Sequence, residues 1–113
     1  MQSKRSLKLA ELLREEISKI MLQEMKNPKI RMASVTRVLV SPDMKNARIY
    51  LNILSDSKER AAVLEAIEHA KTFIRYQVGQ RVMLRVVPEL RFFYDDTLDY
   101  VASIDELLKK AGD

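Results

Sequence analysis

An α+β domain, with helices packed on one face of a three-stranded mixed sheet, is the fold class this chain predicts, on three observations. Apolar residues recur at three- and four-residue steps over residues 7–25 and again over 63–78, the period of two amphipathic helices. Residues 47–53 alternate apolar and polar, and Leu90, Phe92 and Tyr94 recur at every second position, the period of strands with one buried face. A length of 113 residues, 47% of them apolar and 32% charged, suits one ordinary globular domain with a two-layer core.

The first helix is predicted from about Ser6 to Met25, with Leu7, Ala10, Leu13, Ile17, Ile20, Met21 and Met25 on its buried face. Asn27-Pro28 ends it, because a proline disfavours helical geometry in the residue before it. Ala33 to Val40, ASVTRVLV, is rich in β-branched residues and reads as a strand. Ser41 to Asn46 is a turn into a second strand, where Ala47, Ile49, Leu51 and Ile53 face one way and Arg48, Tyr50 and Asn52 the other. Asp56 caps the second helix, with Glu59 in the capping-box position, and Val63, Leu64, Ile67, Ala70, Ile74 and Val78 form its stripe. Helical regularity is expected to lapse at Gly79. Pro88 restricts the segment before it, and Leu90, Phe92 and Tyr94 alternate with Arg91, Phe93 and Asp95 in a third strand. Ser103 caps a short acidic helix at about 103–111, with the domain core at about 4–96 and residues 1–113 forming a single domain. Apolar residues on both phases of the first strand place it in the middle of the sheet, giving the order second, first, third, with the third strand parallel to the first.

Composition removes whole classes of function. Without cysteine there is no disulfide framework, thiolate zinc site or cysteine nucleophile. There is no phosphate-cradling glycine loop and no nucleophile elbow, so neither enzyme activity nor a cofactor or metal is expected. The adjacent carboxylates Asp95 and Asp96 would point to opposite faces of a strand, which suits a turn or cap better than a metal site. His69, with Glu65 one turn before it, suits a surface position better than a catalytic one. The first residues lack the uninterrupted apolar run of an export signal or membrane span, so a soluble, cytoplasmic protein is expected, and separately it is read as a monomer.

The net charge of +4 is unevenly spread. Lys71, Arg75, Arg81, Arg85 and Arg91 stand against Glu89 alone, whereas a face designed only for solvation mixes its signs. Arginines along a helix and its exit suit phosphate oxygens, so Lys71, Arg75, Arg81 and Arg85 are the first candidates for RNA contact. Lys4, Arg5 and Lys8 add a second cationic cluster at the start of the first helix, where they oppose the helix dipole. Arg37, Arg48 and Tyr50 on the wet sheet face are the alternative site, suited to docking an acidic protein partner. Base stacking there is disfavoured, because sheet-type RNA binders use two or three aromatics; Phe93 is the one aromatic of its run on the outward phase.

Helix, hairpin, helix and strand is also the arrangement of a type II KH domain, and local wording narrows the resemblance. MKNPKI (Met25 to Ile30), VLVSPDMKNARIYLNIL (Val38 to Leu54), AKTFIR (Ala70 to Arg75) and VPELRFFYDD (Val87 to Asp96) resemble the ribosome-binding factor A family over roughly residues 4–110. The family replaces the KH GxxG loop by an Ala-x-Gly helix kink. Here those positions read Ala70-Lys71-Thr72, and threonine can bend a helix by bonding back to the preceding turn. The resemblance implies a non-enzymatic assembly factor that binds the immature 30S subunit near the 5′-terminal helix of 16S rRNA. It further implies help with rRNA processing and maturation, adaptation to cold, and ribosomal proteins as possible neighbours.

Overall fold

A computed structural model describes residues 3–97 of the chain, so the helix expected at 103–111 lies outside the described residues. The elements run α1 (Lys4–Gln23), a 3-10 turn (Pro28–Met32), β1 (Ala33–Val40), β2 (Asn46–Ile53), α2 (Ser57–Val82) and β3 (Glu89–Tyr94). Both helices lie against one face of a three-stranded mixed sheet, as the α+β reading requires.

Each element starts where its side chains can satisfy the orphan backbone donors. The Ser3 hydroxyl accepts from the Ser6 N–H at the head of α1, and the Asp56 carboxylate accepts from the Glu59 N–H at 2.8 Å at the head of α2. Asn27 accepts from the Lys29 N–H and opens the 3-10 turn, with Pro28 at its first position, where no N–H is needed. In the β1–β2 turn, Asp43 accepts from the Ser41 hydroxyl at 2.6 Å and from the Lys45 N–H at 3.0 Å. These bonds hold the Asp43 carboxyl below the usual carboxylate range, the Ser41 hydroxyl contributing most.

The buried face of α1 is shifted from the one read off the sequence: Leu9 is buried and Leu7 is 53% exposed. Ser6, Leu9, Ala10, Leu13, Ile17, Ile20 and Met21 face the sheet. From β2, Ala47, Ile49, Leu51 and Ile53 meet them, and α2 adds Val63, Ile67, Ile74 and Val78. Phe92 and Tyr94 pack against this core from β3, and the Arg60 guanidinium at the start of α2 lies 3.8 Å over the Tyr94 ring.

Strand order corrects the sequence reading. The sheet runs β1-β2-β3, with β2 in the middle, antiparallel to β1 and parallel to β3. A bulge explains why β1 looked like a strand buried on both sides. Register shifts between Val35 and Arg37, so Thr36 is an extra residue and the inward phase moves from Ala33 and Val35 to Val38 and Val40. Apolar residues therefore occupy both phases of the text while facing one side of the sheet.

Nor does α2 lapse at Gly79. It continues to Val82 and ends at Met83, which adopts a left-handed φ of 54° and returns its N–H to the Gly79 carbonyl. Gly79 serves packing instead: a Cβ there would meet the Val87 side chain at 3.1 Å. Through Ala70-Lys71-Thr72 the helix is also continuous, and Ile67 and Ile74, two turns apart, keep the buried face in phase across it.

Candidate nucleic-acid interface

The close approach that Gly79 permits brings the 83–88 segment back along α2, leaving an open groove between the helix, that segment and β3. Lys71, Arg75, Arg85 and Arg91 line it, with Tyr76, Gln80 and, among the described residues, the single carboxylate of Glu89. The structure thus gathers three of the four cations first chosen from the run, and adds Arg91.

These cations are not equivalent. Arg75 donates through Nε to the Pro88 carbonyl at 3.1 Å and through Nη2 to the Val87 carbonyl at 2.7 Å. Its planar fork therefore fixes the far wall of the groove, a task for which a lysine has the wrong geometry. Lys71 pairs with Glu68 at 3.0 Å on the same helix, and such an exposed pair holds its partner weakly. Arg85 and Arg91 are exposed and make no ion pair among the described residues.

Arg81 leaves the groove altogether. It lies on the side of α2 that meets α1, where its guanidinium bridges Glu16 at 3.4 Å and Glu24 through a short bond. Sequence counting could not see this, since the two acids stand 65 and 57 residues away in the chain. Lys4, Arg5 and Lys8 are exposed in the first turns of α1, and none of them lines the groove. Neighbouring Leu7, Ala10 and Arg14 border Thr36 and Arg37 of β1, the opposite edge of the sheet from β3.

The alternative site does assemble, and it is larger than the residues singled out for it. Arg37, Tyr50 and Phe93 occupy matched positions on β1, β2 and β3. The Arg37 guanidinium sits 4.5 Å from the Tyr50 ring centre, and the Tyr50 and Phe93 rings stack with centres 5.6 Å apart and planes inclined by 29°. In the adjacent row, Leu39, Arg48 and Arg91 face outward together. Phe93 and Arg91 were missed as members of this face because their neighbours there are set by register. The available signal was their phase, opposite to Leu90, Phe92 and Tyr94.

At the end of this face the Asp95 carboxylate accepts from the Thr36 hydroxyl at 2.6 Å and from the Thr97 N–H at 3.0 Å. Chiefly the Thr36 bond, then those from Thr97, lower its pKa to about 2. Asp95 thus closes a strand-ending turn, as its place in the sequence suggests. His69 is exposed and lies 3.8 Å from Glu65. No group of three or more potential metal ligands occurs among the described residues, and no helix among them is long and apolar enough to cross a membrane.

Comparison with known proteins agrees with the local wording of the sequence. The family model described as ribosome-binding factor A matches residues 5–108. A relative from Halothermothrix orenii, named ribosome-binding factor A, is 44% identical over 110 residues, covering 97% of this chain and 90% of its own length. A Thermotoga maritima protein solved by solution NMR is 27% identical with a TM-score of 0.70, the match covering 82% of this chain and 89% of that one. The Thermus thermophilus ribosome binding factor A coordinates fitted into a cryo-EM map of a 30S complex share the fold at 20% identity and a TM-score of 0.65. They cover 76% of this chain and 90% of that one. With its model match spanning residues 5–108 and a relative 44% identical over most of both chains, this chain belongs to the ribosome-binding factor A family.

Proposed function

We propose that this chain is an RNA-binding assembly factor of the small ribosomal subunit, gripping rRNA phosphates in the groove between α2 and β3. The observation that carries this reading is the groove itself: four cations against one carboxylate among the described residues, with the wall held by Arg75 and the Arg85 and Arg91 guanidinium groups left for a ligand. Lys71, Arg85 and Arg91 neutralise phosphates, Arg75 positions the wall, and Lys4, Arg5 and Lys8 supply a separate cationic end. Arg81 ties the two helices together. The membership of the chain in its family, and the fit of the Thermus relative into a 30S map, favour the immature 30S subunit as partner. In this reading the chain acts without catalysis in the cytoplasm, near the 5′-terminal helix of 16S rRNA. Holding that region until its mature pairing forms would assist rRNA processing, with the greatest need in the cold, where wrong pairings persist longer.

Co-sedimentation of the purified protein with isolated small subunits, large subunits and whole ribosomes at two salt concentrations tests this. Salt-sensitive association with free small subunits, lost in Arg85→Glu and Lys71→Glu, is the expected result. Retention by both variants would refute the groove, and absence from all three particles would refute the partner.

A further inference from the structure

The outer face of the sheet is left open by both helices, and two adjacent rows cross it: Leu39–Arg48–Arg91 and Arg37–Tyr50–Phe93. Arginine holds three of these six positions and no carboxylate holds any; in the flanking rows of this face, Glu89 makes no ion pair among the described residues and Asp95 is occupied by Thr36 and Thr97. Arg48 and Arg91 stand directly opposite each other on neighbouring strands, an arrangement that repels unless an anion lies between them. Neither makes an ion pair among the described residues. Arg91 lines the groove beside α2 and also, with Arg48, a hollow beside the β1–β2 turn, so one cationic surface turns around the edge of β3.

One row further along the strands, about 7 Å away, Phe93 is 39% exposed and held in place by the Tyr50 ring, which is itself covered by Arg37. Cations one row from a pre-ordered aromatic suit a polymer that alternates anion and flat ring. An acidic protein would satisfy the arginines and leave the exposed ring without a use. We infer that the outer sheet face is a second contact surface for single-stranded RNA, Arg48 and Arg91 holding a phosphate and Phe93, backed by Tyr50, stacking a base. The inference rests on reading the chain as an RNA-binding factor and extends its contacts from the groove around β3.

The test uses the full chain, a fluorescein-labelled single-stranded RNA dodecamer and isolated small subunits. Arg48→Gln should lower the slope of log affinity for the dodecamer against log salt by about 0.7, the value of one lost phosphate on a single strand. Phe93→Ala should weaken binding about fivefold or more while leaving that slope unchanged. Phe93→Trp, a conservative exchange that keeps a ring on Tyr50, should show emission quenched by the dodecamer. Unchanged binding in Arg48→Gln together with an unquenched Trp would overturn the inference; loss in Arg85→Glu in the same assay would show that the groove reading survives it. If sheet-face variants lose subunits yet keep the dodecamer, the face docks a ribosomal protein and the RNA inference is wrong.

Discussion

The groove beside α2 and the open face of the sheet are both cationic, but they spend their side chains differently. In the groove one half-buried cation serves the protein: Arg75 donates to two backbone carbonyls of the segment opposite. On the sheet, Arg37 and the two aromatic rings order one another, and Arg48 and Arg91 have no acidic partner among the described residues. A count of positive residues treats all of these alike. What separates a binding cation from a structural one is whether its hydrogen bonds are already made within the fold.

The largest effect that would sharpen this contrast is expected at Arg75. Arg75→Ala removes two charge-assisted bonds and leaves two partly buried carbonyls without their donor, which should cost about 2 kcal/mol of stability. Arg75→Lys should recover only part of it, since an ammonium cannot reproduce the fork. Denaturant melts give the energies, and faster amide exchange in residues 84–88 would identify the loosened wall; equal stability of wild type and Arg75→Ala would mean that Arg75 is a binding cation like Arg85.

A smaller change is expected at Arg81. Its pairs with Glu16 and Glu24 are partly exposed, so Arg81→Gln should cost roughly 1 kcal/mol or less. Small-subunit binding should stay the same within error in a sedimentation assay. Loss of binding without loss of stability would return Arg81 to the contact surface.

Smallest is the acid response of Asp95. Its folded pKa of about 2 lies below the ordinary value of 3.8, so its bonds to Thr36 and Thr97 stabilise the fold fully above about pH 4 and are lost as pH falls towards 2. The melting temperature of Asp95→Asn should therefore fall below wild type at neutral pH, with the gap closing between pH 4 and pH 2. Solvent around this carboxylate keeps the gap small. A gap independent of pH would mean that the carboxylate charge contributes nothing to the end of the sheet face.

Much of the fold was legible in the sequence because period and capping are local. The stripe Val63, Ile67, Ile74 and Val78, the inward set Ala47, Ile49, Leu51 and Ile53, and the Asp56 cap all depend on residues within a few positions of one another. So did the cationic excess from Lys71 to Arg91, and the outward phase of Phe93. Strand order, by contrast, turned on Thr36. A one-residue bulge shifts the facing of every later residue in β1, and its text is indistinguishable from that of a strand buried on both sides. Division of the cations was equally non-local. Arg81 meets Glu16 and Glu24 only after α1 and α2 pack, and Arg75 meets the Val87 and Pro88 carbonyls only because Gly79 lets that segment approach. The row Arg37–Tyr50–Phe93 likewise required the register of three strands. Sequence by itself determined which residues turn inward and where charge accumulates, since covalent neighbours set both; tertiary structure decided which charges and rings meet, because those contacts exist only once distant segments are brought together.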